Sequence, residues 1–314
     1  MEAVALVYIV VAAQCNGWHY LFFPELAALS YDVLTRPWGK WANQPGRLIV
    51  TPVLAAAVGT VITRILPYGV LAIVLVVALC MLLLALLKSN IAPAISAGVL
   101  PLVLGIKSWL YPASIALSLV ALVGILLPWQ KRCRRTYQGI GEASATNLED
   151  VLETRPSGNR CVPPFLLFLT VMAFCATASG LRLILFPPLI VIAYEMFAHP
   201  TTCPWAGKPL ALPAACVLSS TVGWIAVTLF GSGGIAAAGA MVFGVIALRF
   251  LKLHMPPALA VGLLPLVIHS PGIEYPVSVA IGTAALTLAF QLHRRWAIGQ
   301  GRAGRNVSNN LRSV

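Results

Sequence analysis

From Pro67 to Leu87 the chain passes without one charged side chain, and apolar stretches of this kind recur along its length. They lie near 2–17, 21–35, 48–66, 68–87, 91–106 and 109–129, and again near 163–180, 183–198, 210–230, 234–251, 255–268 and 275–293. A water-soluble domain keeps about a quarter of its residues charged to furnish its exterior. Here 59% of the 314 residues are hydrophobic and 10% are charged, with a mean hydropathy of +0.89. A core alone cannot absorb that excess, so lipid is the solvent the outer side chains require. The pattern predicts an all-α polytopic membrane bundle. The first run starts at Ala3 with no basic stretch before it and no clear small-residue cleavage signal after it, which reads as a membrane helix.

The stretches are not independent of one another. Lys88, Asn90, Pro93, Ala94, Gly98, Pro101, Tyr111 and Pro112 recur 164 residues later as Lys252, His254, Pro257, Ala258, Gly262, Pro265, Tyr275 and Pro276. The same spacing joins Trp41, Pro45 and Gly59 to Trp205, Pro209 and Gly223. Upstream it shortens by one, where Phe23, Pro24, Tyr31, Asp32 and Pro37 match Phe186, Pro187, Tyr194, Glu195 and Pro200. Apolar helices share Leu and Ala by chance, but not ordered Pro, Gly, Trp and Tyr landmarks. We therefore expect two parallel repeats of about six helices each, at 1–129 and 163–295. A polar linker at 130–162 separates them, and a basic tail follows at 296–314.

Charge predicts the topology. If every stretch crosses, 18 of the 21 Lys and Arg residues fall on one face, and only Arg64, Lys107 and Arg182 on the other. If the second and fifth stretches of each unit merely dip into the bilayer, the split drops to 12 against 9. The positive-inside rule therefore favours six crossings per unit, with both termini and the linker cytoplasmic. The net charge of +12 thus sets orientation; no aromatic-interleaved basic stretch suggests nucleic acid. The seven cysteines form no Cys-x-x-Cys pair, and no metal or cofactor is expected.

The second and fifth stretches are short and proline-rich, as transporter helices that break near the midplane are. Pro93, Ser96 and Gly98 form a proline-started, small-residue helix beginning, repeated by Pro257 and Gly262. Such a beginning admits close backbone approach by a ligand or by another helix. Asn90 and His254 precede the two starts; His254 could donate to a small anion, carry a proton near neutral pH or serve as an interfacial cap. Asn90, Pro93, Ser96, Gly98, His254, Pro257 and Gly262 are the candidate substrate-binding residues. Acids inside membrane segments are costly, which makes Glu25, Asp32 and Glu195 the candidates for proton coupling. Asp32 and Glu195 could equally pair with nearby Arg36 and His199. Glu25 breaks the repeat, with Pro188 as its counterpart, and could equally be a charge at the outer interface. Lys88 and Lys252 could attract anions at the cytoplasmic mouth, but read first as topology-setting charges.

With His254, Met255, Pro256, Pro257 and Ala258, preceded by Phe186, Pro187, Pro188, Pro204, Trp205, Ala206 and Pro209, the chain resembles the HPP family of membrane proteins. The resemblance runs through both units. Met255 interrupts the His-Pro-Pro run, and Asn90-Ile91-Ala92-Pro93 stands in its place in the first unit. Family members usually carry one unit, and some are implicated in nitrite transport. The resemblance implies transport of a small, nitrite-like anion; the duplicated broken helices suggest alternating access, and the composition speaks against an enzyme in solution. A membrane-embedded enzyme and a structural scaffold are the alternatives. The expected partners are the bilayer and a small anion, with homo-oligomerisation left open.

Overall fold

The computed structural model describes residues 2–14, 22–137, 161–200, 202–253, 255–268 and 270–311. Among the described residues regular structure is entirely helical. The first half contains α1 (Glu2–Gln14), α2 (Glu25–Thr35), α3 (Pro45–Ile65), α4 (Val70–Leu86), α5 (Pro93–Leu104) and α6 (Leu110–Tyr137). The second contains α7 (Val162–Ser179), a 3₁₀ turn (Arg182–Leu185), α8 (Pro187–Ala198), α9 (Ala211–Phe230), α10 (Gly234–Phe250), α11 (Pro256–Leu263) extended by a 3₁₀ turn (Leu264–Leu266), and α12 (Glu274–Leu311).

Proline and glycine set the boundaries. Proline occupies the first turn of α3, α5, α7, α8 and α11, where its missing N–H costs nothing. Glycine in the left-handed region ends α5 at Gly105 and α7 at Gly180. Among the described residues, five helices (α3, α6, α7, α9 and α12) are long and apolar enough to cross a membrane. The helices α2, α5, α8 and α11 have 11, 12, 12 and 8 residues, and so fall short of a straight crossing. The expectation of six full crossings per unit thus meets helices of unequal length, because the prolines that start the short ones also delay them. Both terminal helices outrun their sequence boundaries. α6 continues through Lys131 to Tyr137, and α12 continues to Leu311. Lys, Arg and Gln are good helix formers, so a helix need not stop where apolarity does.

The short helices form the interior. α5 is buried all round from Pro93 to Val103, and α8 nearly so from Pro187 to Phe197. The longer helices surround them and turn large apolar side chains outward. On α4 these are Leu71, Leu75, Leu82 and Leu86, and on α10 they are Phe243, Ile246 and Phe250. Exposed Leu167, Val171 and Phe174 on α7 and Leu288 and Leu292 on α12 extend the same belt. So much outward apolar surface, over helices of this length, marks an integral membrane protein.

The two ends of the bundle differ in charge. At one end Gln130 donates to the carbonyls of Pro37 and Ala42, Trp41 Nε1 donates to the Asn90 carbonyl at 3.1 Å, and Arg47 donates to the Lys88 carbonyl at 3.0 Å. Lys208 does the same for Lys252 at 2.7 Å. At the far end of α3, Arg64 donates to the Lys107 carbonyl and lies over the Trp109 ring, while Arg182 lies over Tyr68. The three basic residues assigned to the poorer face therefore gather at one end. Lys88 and Lys252 both adopt positive φ, 49° and 48°, in the turn that closes α4 and α10. Glycine is the usual choice there; lysine adds a positive charge at the negative end of the helix.

Packing between the halves is reciprocal. α1 and α2 lie mainly against α10 and α11, while α7 and α8 lie against α4 and α5. Within each half, α3 packs on α5 and α6, and α9 on α11 and α12. Each of α2 and α8 touches both α5 and α11.

Candidate functional site

α2 opens on Phe23-Pro24, whose carbonyls accept from Leu26 and Ala27 and tighten the first turn. This turn carries Glu25 into the seam between the halves, where the side chain is 2% exposed. The fully buried Ser96 of α5 donates its hydroxyl to Glu25 Oε1. Glu25 Oε2 is buried and has no hydrogen-bond partner. Because α2 packs on both α5 and α11, Glu25 sits between the two halves. Neither α5 nor α11 contains an ionisable residue. Among the described residues, then, a carboxyl lies in the interior without a cation beside it.

Behind this seam the helices are locked at glycine. A Cβ on Gly59 would lie 1.8 Å from the Gly98 carbonyl oxygen, and a Cβ on Gly223 would lie 1.8 Å from that of Gly262. A Cβ on Gly98 would meet Cys80 Sγ at 2.4 Å and the Ala55 carbonyl at 3.0 Å; one on Gly262 would meet the Ser219 carbonyl at 3.1 Å. The small size of Gly98 and Gly262 thus serves helix–helix approach. Ser219 also holds a buried hydroxyl with no hydrogen-bond partner at this crossing.

A second pair of residues was not singled out by sequence reasoning. Pro101 interrupts α5 and has no N–H for the carbonyl four residues earlier, that of Ala97. The Tyr111 hydroxyl donates to that carbonyl at 2.8 Å. In the second half Pro265 leaves the Val261 carbonyl in the same position, and the Tyr275 hydroxyl takes it at 2.5 Å. The signal was present in the chain, since each tyrosine follows its proline by ten residues.

The other candidates divide. Pro93 is buried at the start of α5, and Pro257 is half-buried in the first turn of α11. Asn90 lies in the turn before α5, whose N-cap is Ala92 without a side-chain cap bond. His254 lies outside the described residues. Asp32, at the other end of α2 from Glu25, pairs with Arg36, and Glu195 on α8 faces His199 at 3.9 Å. These two acids thus have basic neighbours one turn on, whereas the structure brings Glu25 and Ser96 together across two helices. A cleft of about 320 Å³ opens at the Arg182 end, between Val103, Leu104, Leu183, Ile268, Glu274 and Ser278.

No family model matches the chain, and neither does any curated protein or solved structure.

Proposed function

We propose that this chain is a transporter that carries a small anion, nitrite-like in size, across a membrane by alternating access, with Glu25 taking up and releasing a proton in the cycle. The observation that carries the reading is the Glu25 carboxyl: fully buried, held by Ser96, and without a cation among the described residues. A charged carboxylate in such a place is expensive, and protonation removes the expense. An acid kept there at that cost fits a coupling group better than a structural one. Its depth agrees. The 11 residues of α2 rise about 16 Å, roughly half of a hydrocarbon core of about 30 Å. Taking Arg36 as the interfacial residue, α2 would carry Glu25 to near mid-depth.

The reading includes two tandem units related by duplication. It is supported by the paired glycine contacts, the paired tyrosine–carbonyl bonds and the paired lysine turns, all 164 residues apart. The resemblance to the HPP family adds the anion, and the charge-rich end of the bundle is taken as cytoplasmic. Backbone donors at the starts of α5 and α11 would hold the anion, and the two halves would rock about their shared seam.

The test is uptake of labelled nitrite into proteoliposomes under an inward proton gradient. Wild-type protein accumulates the anion, and Glu25→Gln, shown to be folded, loses the dependence on the gradient. Folded wild-type protein that moves no anion would overturn the reading and bring the enzyme or scaffold alternatives forward.

A further inference from the structure

We infer that, among the described residues, the repeated framework holds one carboxyl proton site and not two, made by Glu25 Oε2 with Ser96 as its positioning residue. The counterparts of these residues in the second half are Pro188 and Ala260, which bear neither an acid nor a hydroxyl. All the surrounding framework is kept in both halves: the proline-interrupted inner helix, the tyrosine on its freed carbonyl and the glycine crossing. Only the polar pair is single. The inference rests on reading Glu25 as a proton-exchanging group, and is independent of which anion is carried.

The groups facing Glu25 are few. From α5 comes the Ser96 hydroxyl, and α11 supplies no ionisable group; on α6 and α12 the phenols of Tyr111 and Tyr275 are turned to backbone carbonyls of those two inner helices. Tyr8 of α1, the helix beside α2, gives its hydroxyl to the Ser118 carbonyl. On α2 itself Asp32 lies about two turns away and pairs with Arg36. Tyr111 and Tyr275 spend their protons on Ala97 and Val261. Ser96 donates to Oε1, which fixes the carboxyl plane and leaves Oε2 as the oxygen where a proton binds and departs. Because that donor favours the charged form, it also tunes how tightly the proton is held.

The experiment is labelling of the full-length protein in detergent with dicyclohexylcarbodiimide, which reacts with protonated carboxyls in apolar surroundings, followed by peptide mass spectrometry. One adduct per chain is expected, on Glu25, declining as the pH rises. In Ser96→Ala the declining limb should move to higher pH by about one unit or more, since the charged form loses its donor. A Ser96 that merely fills space would leave the limb in place. Adducts on Asp32 or Glu195, none on Glu25, or protection by sodium at constant pH would each overturn the inference. Labelled Glu25 in protein that carries no nitrite would refute the transport reading and leave the proton site standing.

Discussion

Replacing Tyr111 by Phe removes one oxygen and nothing else, at a place where the backbone depends on that oxygen. In the folded protein the Ala97 carbonyl has no intrahelical donor because residue 101 is proline, and Tyr111 is buried at 1% exposure with its hydroxyl 2.8 Å away. Phe at 111 leaves a buried carbonyl unpaired. Leaving such a group unsatisfied costs about 1–3 kcal/mol in proteins generally, and side-chain hydrogen bonds inside membranes average about 0.6 kcal/mol. Such bonds reach about 1.7 kcal/mol at most inside membranes, and a carbonyl with no intrahelical donor belongs near that limit, so we expect a loss of about 1–2 kcal/mol. Tyr275→Phe should cost the same, because Val261 stands to Pro265 as Ala97 does to Pro101. Unfolding by SDS from mild detergent, followed through the eight tryptophans, measures it. The decisive variant is Pro101→Ala, which restores an N–H to the Ala97 carbonyl. In that background Tyr111→Phe should cost less than half as much, since the carbonyl has an alternative partner. An equal cost with and without Pro101 would refute the reasoning, and would mean that Tyr111 stabilises by packing alone.

Two further outcomes are expected. Gly59→Ala and Gly223→Ala each drive a methyl to within 1.8 Å of a carbonyl oxygen, and should abolish monodisperse protein on size exclusion; Gly124→Ala, with nothing within 4 Å, should not. Single cysteines at Lys40 and Lys208 should react with impermeant maleimide from one side of the membrane and those at Lys107 and Arg182 from the other, whereas labelling of all four from one side would end the topology drawn from the basic residues.

Much of the architecture could be read from local chemistry. The short helices begin at Pro93 and Pro256 and end near Leu104 and Leu266, close to the apolar limits of 91–106 and 255–268, because proline starts act within a turn, and Gly105 stops the first of them. The ends of α6 and α12 were harder to place, since charged residues that leave the hydrocarbon can stay helical. Glu25 stood out in the chain as an acid in an apolar stretch, but its bond to Ser96 did not. That contact joins helices 71 residues apart, and no periodicity along one helix encodes which helix lies beside it. The same holds for the reciprocal packing. Apolar faces on α1 and α2 do not say whose faces they cover. Gly98 and Gly262 were visible as small residues suited to a ligand or a helix, and the carbonyls opposite Gly59 and Gly223 show the helix.

The reciprocal seam has a consequence for how the protein is made. α2 ends at Thr35, and α11, the helix it chiefly covers, begins at Pro256. Roughly two hundred residues must be synthesised between them, which at about 5–20 residues per second takes on the order of 10–40 s. Throughout that interval α1 and α2 sit in the bilayer without their main partners, and Glu25 stands at the lipid or against whatever shields it. Neither half can complete its interior alone. Assembly is therefore held back until the last helices are inserted, and a chain halted after α6 would present the faces of α4 and α5 uncovered, a form that membrane quality control could recognise.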